Sequence, residues 1–142
     1  MQNLSWLLLS LLSAFFAALV AVFGKIGIEK TDTTLATMVR ACFMLLALFL
    51  VSAATGKLSG IAGIGRRELG FIALAGLAGA LSWICYFAAL RMGKATNVAV
   101  VDRLSVVFVM LLAAAFLGEK LGLKSMLGVL CMLAGAVLVA TA

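Results

Sequence analysis

Five long apolar runs, separated by short polar connectors, set the pattern of this chain. The runs cover roughly residues 4–23, 33–53, 69–90, 98–118 and 121–140. Each holds about the 20 residues that a helix needs to cross a hydrocarbon core at about 1.5 Å per residue. The connectors are GKIGIEKTD, TGKLSGIAGIGRRE, RMGKATN and the tight GEKLGLK turn. Polar and apolar residues do not alternate within the runs, and Leu and Ala abound, so the pattern predicts helices rather than strands. The first run has no basic flank and no clear cleavage site, and four more runs follow it. It is therefore expected to stay in place as a helix rather than be removed as a signal peptide. The predicted architecture is an all-α integral membrane protein, a bundle of five transmembrane helices forming one domain over residues 1–142.

Composition points the same way. Of 142 residues 66% are hydrophobic and 11% are charged, against about 25% charged in an ordinary soluble domain. A chain of this length folded in water buries only about two-thirds of its surface, and too few polar residues are present to cover the rest. The apolar residues must face lipid, which makes the bilayer the first predicted partner.

Catalytic and nucleotide chemistry find no support. The chain has no His, the commonest metal ligand. Its three cysteines, Cys42, Cys85 and Cys131, show no metal spacing and lie inside the runs, where burial as small apolar residues is expected. Neither a Walker A loop nor a Gly-x-Gly-x-x-Gly turn occurs. No enzyme activity, metal, cofactor or ATP-driven pumping is expected. The net charge of +6 is scattered over several connectors, as is ordinary beside membrane spans, so a nucleic-acid partner is not expected either.

With five helices the two termini lie on opposite sides of the membrane. The side holding the N-terminus carries Lys57, Arg66, Arg67, Lys120 and Lys124, five basic residues; the other carries four, Lys25, Lys30, Arg91 and Lys94. Orientation follows an excess of Lys and Arg in short cytoplasmic loops, and five against four is hardly an excess. Two readings stay open: a single orientation helped by the Arg66–Arg67 pair, or insertion both ways with antiparallel pairing. Transporters built from inverted repeats around a midplane site favour the second.

Charges at membrane depth cost about 2.5–3.5 kcal/mol each even on the lenient insertion scale, so each needs a reason. Arg40 lies roughly 10 Å into the second run, and Asp102 and Arg103 roughly 7 Å into the fourth, from the side at which Lys25 closes the first. Three cations and one carboxylate thus reach similar depths. One reading is a salt bridge from Asp102 to Arg40 or Arg103 that only fastens helices, with Arg103 and Lys25 snorkelling. The other is a polar cluster in a cavity, with surplus positive charge for anionic solutes or with Asp102 coupling to protons. In the third run Trp83 and Tyr86 are three residues apart on one helix face. They either line a solute path or pack against neighbours. Small residues mark close approach: Gly76 with Ala80 and Ala75 with Gly79 in the third run, and Gly128, Cys131 and Gly135 in the fifth. Such stripes form a dimer seam or internal packing.

These residues carry a family resemblance. "FGKIGI" after the first run, "TMVRA" in the second, "LSWICYFAALRMGKA" across the end of the third, "VDRLSVVF" and "FLGEKL" in the fourth and "LGVLCMLAGAVL" in the fifth resemble a single-repeat member of the EamA group of drug/metabolite transporters. The resemblance covers almost the whole chain. It implies a multi-pass protein of a bacterial or archaeal inner membrane. It further implies that two inverted five-helix repeats, here two copies of one chain in a homodimer, enclose a path for a small organic solute moved without ATP. Arg40 matches the arginine typical of the second helix, Asp102 and Arg103 an acidic–basic pair of short members, and Glu119 and Lys120 the last turn. Two departures stand out. The related small multidrug transporters bind cations through an acidic residue in the first helix, and none occurs here. Ala99-Val100 replaces a proline often found near the start of the fourth helix, which leaves a straight and a broken helix both open. The expected function is secondary transport by alternating access through Arg40, Asp102, Arg103, Lys25, Trp83 and Tyr86. The rival is a membrane scaffold or accessory subunit.

Overall fold

The structure is a computed structural model that describes residues 2–119 and 122–141. Lys120 and Leu121 of the expected last turn, and Ala142, lie outside the described residues. The described residues form helices and no strand: α1 (Gln2–Gly27), α2 (Thr33–Ala54), α3 (Arg66–Met92), α4 (Ala95–Asp102), α5 (Ser105–Leu112) and α6 (Leu123–Ala140). A 3₁₀-helix (Lys57–Gly63) follows α2 and a π-helical turn (Ala113–Leu117) follows α5. Counted with α4, α5 and the π turn as the single span Ala95–Leu117, five helices are long and apolar enough to cross a membrane. The protein is an all-α membrane protein, as the apolar runs predict.

Local chemistry sets the helix ends. The Asp32 carboxylate accepts from the amides of Thr34 at 2.9 Å and Leu35 at 3.0 Å, which satisfies two of the orphan donors that open α2. At the other end Gly56 takes φ 68°, the left-handed conformation, just past the cap Thr55. A residue without a Cβ meets that turn without strain. Glu68 sits in the first turn of α3 and Arg91 in its last, each at the pole that suits its charge.

The fourth span departs from a straight helix. At Arg103 and Leu104 the amides turn back to carbonyls three residues earlier, Val100 at 3.2 Å and Val101 at 2.9 Å. Val106 and Val107 do the same with Arg103 and Leu104. Val98, Val100 and Val101, stiff at χ1, and Asp102, which competes for backbone groups, make this a weak stretch of helix. The span breaks here without a proline. Past the π turn Gly118 adopts φ 67°, and the Gly118 and Glu119 amides both return to the Ala113 carbonyl.

Side-chain burial is sparse. Among the described residues Ala21, Ile28, Phe87, Leu90, Ala136 and Thr37 are buried. Large apolar side chains stand exposed along every span, as Leu45 at 70% and Leu138 at 71% illustrate. In water that surface would drive aggregation; in lipid it has its natural solvent. Cys42, Cys85 and Cys131 are free and exposed, which corrects the expectation of burial: their small side chains sit on helix faces turned away from the rest of the chain.

The chain divides into two compact units, Lys25–Arg91 on the one hand and Met1–Gly24 with Met92–Ala142 on the other. The first is held by the ends of its helices. Lys25 donates through Nζ to the Leu90 carbonyl, and Arg91 donates through Nη1 to the Thr31 carbonyl at 3.0 Å. In the second, α4 packs along α6.

Candidate functional site

The unit Lys25–Arg91 places the Arg40 guanidinium on an aromatic platform. Arg40 is the eighth residue of α2, and its Cζ lies 3.5 Å from the centroid of the Trp83 ring of α3 and 5.8 Å from that of Phe87. Trp83, Tyr86 and Phe87 are spaced three and four apart, so they share one face of α3. Trp83 meets Tyr86 edge-on at 5.4 Å and 77°, and Phe87 at 5.8 Å. Phe87 is buried, whereas Arg40, Trp83 and Tyr86 are half-buried. The buried ring fixes the other two, and its neighbours reach the surface of the unit.

The energetics explain why a cation rests there. An arginine at membrane depth costs about 2.5–3.5 kcal/mol on the insertion scale. A desolvated cation over an indole face recovers about 2 kcal/mol, so the ring offsets most of that cost without a carboxylate. The contact sets Cζ over the ring centre and consumes no oxygen or nitrogen acceptor. Nη2 lies 3.7 Å from the Met44 thioether one turn along α2, a weak acceptor. Among the described residues no oxygen accepts a hydrogen bond from Arg40. Among the described residues Arg40 is thus held by a ring and a thioether and not by an ion pair.

Lys25 is tied to the backbone of α3. Its ammonium donates to the carbonyl of Leu90 in the last turn of α3, where backbone acceptors lack helical partners. Leu90 is fully buried, so this bond closes the end of the unit.

The other unit holds Asp102 and Arg103 at the break in the fourth span. Both side chains are exposed. Asp102 ends α4 and lies just before α5, so its carboxylate disfavours one helix pole and favours the next. A cavity of 330 Å³ opens beside the break, lined by Val100, Arg103 and Leu104 on one side and by Met132, Gly135, Ala136 and Val139 of α6 on the other. Its walls are apolar apart from Arg103. Gly135 therefore contributes to a cavity wall. A Cβ added at Gly76, Gly79, Gly128 or Gly135 would meet no atom within 4 Å.

Of the residues singled out in the sequence, the structure gathers Arg40, Trp83 and Tyr86 within the unit Lys25–Arg91, and Arg103 with Gly135 within the other unit. Phe87 and Met44 were missed. Their signal was helical spacing: Phe87 follows Trp83 by four residues, and Met44 follows Arg40 by four. No group of His, Cys, Asp and Glu among the described residues is placed to hold a metal ion.

A model of the EamA-like transporter family matches residues 4–141, and the chain belongs to that family. It is 45% identical over 136 residues to a Sinorhizobium protein described as an uncharacterized transporter in the cobO 3′ region; the alignment covers 96% of each chain. No solved structure matches.

Proposed function

We propose that this member of the EamA-like transporter family is a secondary transporter that carries a small organic solute by alternating access as a homodimer. Membership of the family supports transport in general. The single observation that carries the finer reading is the Arg40 guanidinium seated 3.5 Å above the Trp83 ring with its donors unspent on oxygen. Trp83 and Tyr86 provide the surface against which the solute rests, and Arg40 its polar anchor. Asp102 and Arg103 serve the coupling step at the break in the fourth span. Discontinuous spans are where transporters place such groups, because a break lets one half of a helix move without the other.

The dimer and its antiparallel pairing rest on two features. The basic residues are nearly balanced between the two sides, five against four, and the small-residue stripes of α3 and α6 leave open space that a second helix can enter. Purified protein in liposomes should release or take up members of a metabolite panel faster than empty liposomes, and Arg40→Ala should abolish the difference while insertion is retained. Flux equal to that of empty liposomes across the panel would instead favour a scaffold or accessory subunit. Reporters active on opposite sides of the membrane, fused after Ala142, should both give signal if insertion is dual; signal from one alone would exclude the antiparallel pair.

A further inference from the structure

From the way Arg40 is held, we infer that the solute is a small organic monocarboxylate with a compact apolar body, bound edge-on by the Arg40 guanidinium and flanked by Trp83 and Tyr86. This rests on the transport reading for its role as cargo, but the binding site itself does not.

The fork of donors on a guanidinium matches a carboxylate in two parallel hydrogen bonds. Resting over the Trp83 ring, with only Nη2 directed at the weakly accepting Met44 thioether, leaves the remaining donors for an anion and restrains the side chain before the anion arrives. Lys25 and Arg91, the cations that close α1 and α3, already donate to the carbonyls of Leu90 and Thr31. Arg40 is therefore the one cation of the three whose donors meet no oxygen among the described residues, and a single guanidinium fork pairs with a single carboxylate. Around it lie the Trp83 and Tyr86 rings and the Met44 thioether. An apolar body gains from such soft, polarisable surfaces, whereas a sugar or a polyol would bury most of its hydroxyls against rings and a thioether, with the Tyr86 phenol as a polar neighbour. A cation would meet repulsion at Arg40. A lipid phosphate reaching down from the interface offers similar anionic oxygens, and the experiment separates the two sources.

Trp83 is the reporter. The chain has two tryptophans, and Trp6 is exposed, so Trp6→Phe leaves one emission signal. The full-length Trp6→Phe protein in detergent micelles would be titrated with cyclohexanecarboxylate, and with cyclohexanecarboxamide as its uncharged isostere. A saturable change in Trp83 emission with the carboxylate is expected, with the amide at least about tenfold weaker. Arg40→Lys should weaken the carboxylate about tenfold, and Arg40→Ala should remove the response with far-UV circular dichroism unchanged. Equal binding of carboxylate and amide, or an unaltered response in Arg40→Ala, would overturn the inference, and the isostere comparison needs no variant that might misfold. Saturation by phosphatidylglycerol, with no further change on adding carboxylate, assigns the fork to lipid phosphate and overturns it too. Flux in liposomes then tells the two readings apart. Arg40-dependent uptake of another solute class without carboxylate binding keeps transport and sinks the monocarboxylate. Carboxylate binding without flux keeps the site and sinks transport.

Discussion

Arg40 and Arg103 both lie inside apolar spans, and the two halves of the molecule accommodate them by different physics. Arg40 sits in a continuous helix, half-buried, with its charge laid on an indole ring 3.5 Å away. Arg103 sits where the helical ladder shifts from four-residue to three-residue hydrogen bonds, exposed at the edge of an apolar cavity. The first site is rigid because aromatic side chains on one face of α3 lock one another. The second is weak because β-branched residues and Asp102 undermine the helix. A rigid anchor suits recognition; a weak point in a span suits movement.

The strongest way to break the comparison is to remove the anchor. Arg40→Ala should lower flux by about 100-fold, the effect of deleting a charged hydrogen-bond donor from a desolvated site. The corresponding Arg103→Ala should cost about tenfold, a loss seen in how strongly an imposed ion gradient drives flux and not in half-saturation, since this exposed arginine serves coupling rather than solute binding. Similar losses in the two variants, measured as initial rates in liposomes at matched protein content, would erase the distinction.

Removing the ring comes next. Trp83→Ala should reduce apparent affinity by roughly ten- to thirtyfold, as expected for losing a desolvated cation–π contact, and Trp83→Phe by only a few-fold, because a weaker ring face remains. A Trp83→Phe variant as impaired as Trp83→Ala would show that ring size, not the charged face, is what matters.

A smaller effect tests the weak point. Replacing Val98 and Val101 together by Leu strengthens the helix by a few tenths of a kcal/mol per site. Turnover should fall about two- to threefold with half-saturation unchanged, because only the movement is resisted. A change confined to half-saturation would place the break in binding instead.

The smallest expected change is at Lys25. Lys25→Met removes the donor to the Leu90 carbonyl and should cost about 1 kcal/mol of stability, read as a lower melting temperature, with transport nearly normal. A large loss of flux at unchanged stability would place Lys25 in the solute site.

The five spans were legible in the sequence because a helix in lipid satisfies its own backbone, so length and apolarity suffice to place it. The structure moves the ends by a few residues: α1 continues to Gly27, and α3 begins at Arg66. The candidate site was half legible. Charges inside apolar runs announce themselves, and helical spacing put Trp83 and Tyr86 on one face. What partners each charge did not follow: the ring beneath Arg40 depends on which face of α3 meets α2.

What the sequence by itself determined is therefore the all-α membrane class, the spans and the set of intramembrane residues that demand a reason. Tertiary structure alone decided that Arg40 rests on Trp83 beside a buried Phe87, that Lys25 closes a helix end, and that the fourth span breaks at Arg103 with no proline present. The physical reason is one of range. Burial in lipid and backbone satisfaction depend on each segment's own composition, whereas a cation–π contact, a donor to another helix's last turn and a cavity beside a break depend on which segments meet.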